Sequence, residues 1–310
     1  MRILILGGTV FLGRHVAETA VARGHEVTIY SRGQHGQAPD GVEHVRGDRA
    51  DVTPLRGRFW DAAIDTSGYD PAHVAASVAL DVGHYVFVSS CNAYPDWPEK
   101  PVGEDSPVWQ DGEGYGPEKA AAEREVLPAG AVVRAGLIVG PHDNIFRLPW
   151  WVRRIMEGGV IPAPGDPDQQ VQVIDARDLA AFLLRLAEER IAGAFNGTAP
   201  IGQTTMRALL EAAGNADLRW IPDEKLEAAG VQPWVEVPLW IPSRFAGTWR
   251  IGTERAQAAG LRCRPVTETV ADVRAWLEAG GERELDDWRA EHRPPRMSRE
   301  REDALLRLLC

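Results

Sequence analysis

A tyrosine and a lysine one helical turn apart stand in the run Tyr115-Gly116-Pro117-Glu118-Lys119. They lie downstream of a strand-like Tyr85-Val86-Phe87-Val88 that ends on Ser89-Ser90. A phenol, an ammonium group and a hydroxyl are what proton transfer beside a nicotinamide ring requires. If Tyr115 opens a helix, Lys119 shares its face and can hold its charge near the phenol oxygen. An adjacent positive charge favours phenolate, so the pair predicts a tyrosine pKa lowered toward the working pH. The same spacing also occurs on any surface helix that carries an aromatic and a charge, so the surrounding chain must decide between the two.

The elements that would position these groups begin at the first residues. Arg2 to Leu6 reads as a buried strand, Phe11 to Arg23 as a helix stopped by Gly24, and Glu26 to Tyr30 as a second strand, which makes one βαβ unit. Between strand and helix lies Gly7-Gly8-Thr9-Val10-Phe11-Leu12-Gly13. Glycines there allow a tight turn and close approach of backbone to a pyrophosphate, while the helix N-terminus offers N–H groups to the anion. Val10 stands where both common forms of this fingerprint have glycine. Gly7, Thr9, Val10, Phe11, Leu12 and Gly13 are the expected cofactor contacts of the turn.

Further strand candidates follow at Glu43 to Val45, Ala62 to Asp65, Tyr85 to Val88 and Ala131 to Ala135, with helical stretches between several of them. This alternation predicts an α/β fold, a Rossmann-type doubly wound parallel sheet that binds ligands outside the carboxyl ends of its strands. Gly7, Ser31, Asp48, Ser67 and Ser90 each follow a strand and so fall along one edge. The second strand ends in Ser31-Arg32 with no carboxylate at its tip. A ribose 2′-phosphate would be paired there rather than repelled, which predicts NADP(H) over NAD(H). Asp48 and Arg49 follow the third strand. The carboxylate could receive the adenine amino group or simply satisfy neighbouring N–H groups of a turn.

Composition narrows the class further. The chain has 310 residues, a formal net charge of -11 and three cysteines, Cys91, Cys263 and Cys310. An acidic chain without an evident basic surface is not expected to bind nucleic acid. Three cysteines without Cys-x-x-Cys spacing predict neither a disulfide framework nor a metal site, and Cys91 reads as a small buried thiol. No apolar run reaches the 18 residues of a membrane span, and Met1 to Leu6 is too short for a signal peptide, so a cytoplasmic location is expected. From about Pro141 the pattern turns irregular and rich in tryptophan. The expected division is a dinucleotide-binding domain over 1–144, completed by 169–198, and a smaller Trp-rich C-terminal substrate cap from 145–168 and 199–310. Thr204 to Gly214, Val266 to Leu277 and Ser298 to Leu309 read as helices, whereas Trp220-Ile221-Pro222 resembles no regular element.

Gly7 to Gly13, Asp48, Ser89 to Tyr94, Tyr115 with Lys119, and Arg134-Ala135-Gly136-Leu137-Ile138-Val139-Gly140-Pro141 together resemble an extended or atypical short-chain dehydrogenase/reductase of the NAD-dependent epimerase/dehydratase family. The likeness covers roughly the first 145 residues and resumes at Val173 to Asp178. It implies a bound NAD(P), cofactor contacts at Ala135 and Ile138, and a Ser-Tyr-Lys triad of Ser90, Tyr115 and Lys119, with Ser89 as the less favoured serine. In that triad Tyr115 donates or accepts the proton, and Lys119 binds the nicotinamide ribose. The family often dimerises through helices of its sheet domain, which makes a homodimer an expectation by resemblance alone.

The departures from the family bear on substrate. Nucleotide-sugar members carry an arginine where Gln170-Val171-Gln172 stands, and an asparagine where Leu137 stands. A diphosphate would lack a cationic partner here. The expected activity is therefore hydride transfer to or from a carbonyl or alcohol of a small organic molecule. The alternatives are an epimerase or dehydratase that retains its NAD(P), and a non-catalytic binding protein on the same fold. Phe146, Trp150 and Trp151, followed by Trp234 and Trp240, are the expected walls of a substrate pocket.

Overall fold

Four of the five residues of Arg2–Leu6 (β1) are fully buried apolar side chains, the pattern of a strand covered on both faces. The computed structural model describes residues 1–127, 129–245, 247–285 and 296–309, so Cys310 lies outside the described residues. In it β1 is followed by Phe11–Ala22 (α1), Glu26–Ser31 (β2), Val42–Arg46 (β3), Ala62–Asp65 (β4), Pro71–Val78 (α2), Tyr85–Ser90 (β5), Tyr115–Val126 (α3) and Ala131–Ala135 (β6). Next come Leu137–Val139 (β7), Leu148–Met156 (α4), Val160–Pro164 (β8), Gln170–Val171 (β9), Val173–Asp175 (β10), Ala176–Glu188 (α5) and Gly193–Gly197 (β11). Thr204–Thr205 (β12), Met206–Glu211 (α6), Asp217–Ile221 (β13), Asp223–Ala228 (α7), Glu254–Ala258 (α8), Val266–Glu278 (α9) and Arg299–Leu306 (α10) complete the described elements.

Seven strands form one parallel sheet in the order β11-β6-β5-β4-β1-β2-β3. Alternate residues of each strand feed opposite faces. Ile3, Ile5, Ile29, Ile64, Val86 and Val133 pack beneath α1 and α5. Leu4, Leu6, Ala63, Phe87 and Val132 meet Trp60, Tyr85 and the Ala122 and Val126 side chains of α3 on the other face. This is the doubly wound α/β sheet expected from the sequence. The strand order reverses beside β1, so the carboxyl ends of β1 and β4 flank the crevice where such folds take ligands.

A second core lies beyond the sheet. Trp151, Val152 and Ile155 of α4, Leu209 and Leu210 of α6, and Val270 and Val273 of α9 are buried together with Trp240 and Trp249. Two local readings change here. Trp220 and Ile221 are not irregular, because they end β13, which runs parallel to β8 with Trp220 opposite Ala163 and Ile221 opposite Pro164. The neighbouring prolines hide the strand in sequence, yet they fit a two-stranded edge pair in which not every N–H is needed. Thr204 and Thr205 do not belong to a helix either. They pair antiparallel with β9, and the Thr205 hydroxyl caps α6 by accepting from Ala208 N–H, a division that suits β-branched, cap-forming residues.

Candidate active site

The glycine turn is shaped by contact with the strand beneath it. Gly7 has φ 89°, and a Cβ on Gly13 would stand 1.8 Å from the Gly7 carbonyl oxygen, so neither position admits a side chain without displacing backbone. Thr66 secures the turn by donating its hydroxyl to the carbonyls of Leu6 and Gly7 at 3.1 and 2.9 Å. Val10, the N-cap of α1, offers no side-chain acceptor, which leaves the first-turn N–H groups without a capping side chain.

Above this turn opens a cavity of about 900 Å³, within the size range of ligand sites. It runs along the carboxyl edge of the sheet. Gly7, Thr9 to Gly13, Ser31, Arg32, Asp48, Arg49, Ser67, Tyr115, Lys119, Ala135 and Ile138 all line it, as does Ser90. Every residue expected to hold the cofactor is thus brought to one surface.

Their commitments differ. Arg49 makes a bidentate pair with the fully buried Asp65 at 2.8 and 2.7 Å, and Tyr85 donates to the same carboxylate at 2.7 Å. Asp48 accepts from Ala50 N–H at 2.9 Å, as a turn residue does. Ser31 is hydrogen-bonded to a ring nitrogen of His44 at 2.9 Å. Arg32 is exposed, and its guanidinium has no hydrogen bond or ion pair among the described residues. The Ser67 hydroxyl is buried without a partner. A glycine cradle, an orphaned hydroxyl and a guanidinium along one strand edge fit a dinucleotide.

At the other end of the cavity the strand β5 delivers two serines with opposite fates. Ser89 donates to the buried carboxylate of Glu123 at 2.6 Å, and Glu123 is itself clamped by Arg134 at 2.7 Å. Ser90 instead accepts from the backbone and side-chain N–H groups of Asn92 at 3.2 and 3.0 Å. Its own proton is left to donate. Cys91 beside it is buried, and burial pushes its thiol up to about 12, which keeps it protonated and inert.

Tyr115 and Lys119 start α3 on one face, but the ammonium serves a different acceptor from the one expected. Lys119 Nζ donates to the carbonyls of Gly68 and Val88 at 2.7 and 2.9 Å and lies 4.7 Å above the Phe87 ring. Its distance to the centre of the Tyr115 ring is 6.0 Å. Burial lowers the Lys119 pKa to about 8 against the pull of Asp65. The expected fall of the Tyr115 pKa is not found. The side chain is half-exposed, yet the desolvation of its phenol against the cavity wall raises the pKa, opposed by the Ser90 hydroxyl and by Arg147. Two carbonyls hold the ammonium, and burial of the phenol sets the direction of its shift.

None of Phe146, Trp150, Trp151, Trp234 and Trp240 lines the cavity. The Trp151 and Trp240 indoles are buried and donate to Pro238 O at 2.7 Å and to the Asp223 carboxylate at 2.9 Å. Trp150 stacks edge-on against Trp151, and Trp234 lies against Trp249. Phe146 is buried beneath Arg153. The four indoles belong to the second core, and Phe146 packs in a small cluster with Trp276 and Leu285. The walls facing Tyr115 come instead from Tyr69, Trp97, Asn144, Ile145 and Arg147. Sequence reasoning passed over Arg147, although Asp143 gave a signal. Its carboxylate accepts from the N–H groups of Ile145, Phe146 and Arg147 at 3.0, 3.1 and 3.0 Å, which fixes the loop that presents this arginine.

A parallel Rossmann-type sheet with a cavity along its carboxyl edge is the arrangement in which such folds hold dinucleotides. The model of the NAD-dependent epimerase/dehydratase family matches residues 70–202. It is 28% identical over 285 residues to a 2-alkyl-3-oxoalkanoate reductase of Stenotrophomonas maltophilia, which covers 81% of each chain. It is 27% identical to the chloroplast stem-loop binding protein of 41 kDa b of Arabidopsis thaliana over 61% of this chain, and spans 56% of that relative's length. In fold it resembles the Bordetella bronchiseptica enzyme WbmH in complex with NAD+ (TM-score 0.64, 21% identity, 90% of this chain and 99% of that one). It also resembles human epimerase family protein SDR39U1 with NADPH (TM-score 0.62, 20% identity, 89% and 99%).

Proposed function

We propose that the protein is an NADP(H)-dependent oxidoreductase that reduces a carbonyl, or oxidises the corresponding alcohol, on a small organic substrate. The observation that carries this reading is the joint placement of Ser90, Tyr115 and Lys119 on the wall of a cavity that also holds the glycine turn and the free Arg32. The reductase activity in the name of the Stenotrophomonas relative and the NADPH in the human structure support it.

A bound reduced nicotinamide would supply the hydride to the carbonyl carbon. Ser90, beside the Tyr115 phenol, hydrogen-bonds the substrate oxygen as negative charge grows on it. Tyr115 donates its phenolic proton to that oxygen, and its raised pKa keeps the proton in place at neutral pH. Lys119, fixed by two carbonyls, presents its remaining donor capacity to the cavity. Oxidation runs the same transfers in reverse and needs the phenolate.

The test is cofactor stoichiometry. Each carbonyl reduced must consume one NADPH, and Tyr115→Phe must lower turnover roughly a hundred- to ten-thousand-fold while NADPH still raises the melting temperature. Turnover without net loss of NADPH would instead indicate an epimerase or dehydratase. Turnover that survives Tyr115→Phe would remove the tyrosine from the chemistry.

A further inference from the structure

Of the four arginine and lysine side chains on the cavity wall, two are committed and one lies at the far end from Tyr115. Arg49 is paired with Asp65, Lys119 is bonded to two carbonyls, and Arg32 stands beyond the tip of β2. Arg147 is different. Its guanidinium lines the same cavity as Tyr115 and makes no hydrogen bond or ion pair among the described residues. Asp143 is near enough for the two charges to interact, but its oxygens accept from three backbone N–H groups and from no guanidinium nitrogen. Arg147 also caps the start of α4, whose Leu148 and Trp151 are buried in the second core, so its backbone is held rigidly. Asn144 adds a side-chain amide to the same wall, also without a hydrogen-bond partner among the described residues.

A partly desolvated guanidinium with no carboxylate bonded directly to it among the described residues, beside the group assigned to proton transfer, is a site for an anion. Gln172 is buried, donates to the carbonyls of Ala199 and Ile251 and accepts from the Ile251 N–H, so it does not serve the cavity. One guanidinium without a second cation beside it matches the two oxygens of a single carboxylate better than the two charges of a diphosphate. We propose that Arg147, assisted by Asn144, anchors the carboxylate of the substrate, and that the substrate class is an oxo acid whose carbonyl lies within a few bonds of that carboxylate. This rests on the oxidoreductase reading for the reacting carbonyl, but the anion site stands on Arg147 itself. The oxo-acid substrate in the name of the Stenotrophomonas relative has the same two groups.

The experiment measures binding of 3-hydroxyoctanoate and of its methyl ester to the NADP+-loaded protein by calorimetry and thermal shift. The acid must bind more tightly than the ester. Arg147→Met must weaken the acid about a hundredfold, the scale of a lost buried charge pair, and leave the affinity for the ester and for NADP+ unchanged. Arg147→Lys must recover part of the loss. With 3-oxooctanoate as substrate the same variants must raise KM far more than they lower kcat. The site is overturned if the acid does not bind, if acid and ester bind alike, or if Arg147→Met weakens both equally. Selective binding of the acid without any NADPH consumption would instead overturn the oxidoreductase reading and leave the anion site standing.

Discussion

The two walls of the cavity are built differently. The sheet wall is made of strand ends: Gly7, Ser31, Asp48, Ser67 and Ser90 each follow or close a strand and line the cavity. The opposite wall comes from short loops that carry Trp97, Asn144, Ile145 and Arg147, while the large aromatic rings of the second half turn inward to Trp240 and Trp249. A strand end has its direction fixed by the ladder on either side of it. A ring in an irregular segment goes wherever burial is greatest, and here that is the second core.

The sharpest way to break this contrast is to truncate one ring from each place. Trp240→Ala removes a buried side chain and its bond to Asp223, which predicts a loss of about 3–5 kcal/mol in denaturant unfolding, with kcat/KM per folded molecule preserved. Trp97→Ala, at a half-buried ring whose indole N–H lacks a partner, must cost less stability and raise KM. If Trp240→Ala spared stability and impaired the reaction, the assignment of the cap aromatics to packing would fall.

On the sheet wall, Arg32→Ala tests the free guanidinium. Loss of charged hydrogen bonds of about 1.5–3 kcal/mol must weaken NADPH binding ten- to a hundredfold in a titration and change NADH binding little. Equal weakening of both would assign Arg32 to something other than a 2′-phosphate and leave NADP(H) preference unsupported.

The smallest effect concerns the seam between the walls. His142 sits against His15 and Trp276 with φ 64°. Burial, reinforced by Arg14 and His15, lowers its pKa from 6.5 to about 4. A histidine with a depressed folded pKa binds fewer protons folded than unfolded between those values, so stability falls as pH drops from 6.5 toward 4. His142→Asn, which tolerates the positive φ, must flatten that part of the stability profile measured by chemical unfolding. An unchanged slope would place the acid sensitivity elsewhere.

Legibility followed the same division. The βαβ opening, β4 to β6 and the placement of Ser90, Tyr115 and Lys119 on one cavity could be read because continuous apolar runs and glycine turns carry their own geometry. The seventh strand, Gly193–Gly197, went unread, since glycines at both ends look like a turn and only pairing with β6 makes it a strand. Spacing alone predicts a lowered tyrosine pKa; the shift runs upward because the fold buries the phenol, while the Gly68 and Val88 carbonyls, 51 and 31 residues away in the chain, hold the lysine.

By itself the sequence determined the parallel sheet, the glycine turn, and the residues that stand at the carboxyl edge, because strand periodicity and turn chemistry act over a few residues. Only the tertiary structure decided which serine keeps its proton, which arginines are spent on Asp65 and Glu123, and which arginine is left facing Tyr115. Those outcomes depend on pairing across the fold, where a buried charge settles with whatever partner packing brings within reach.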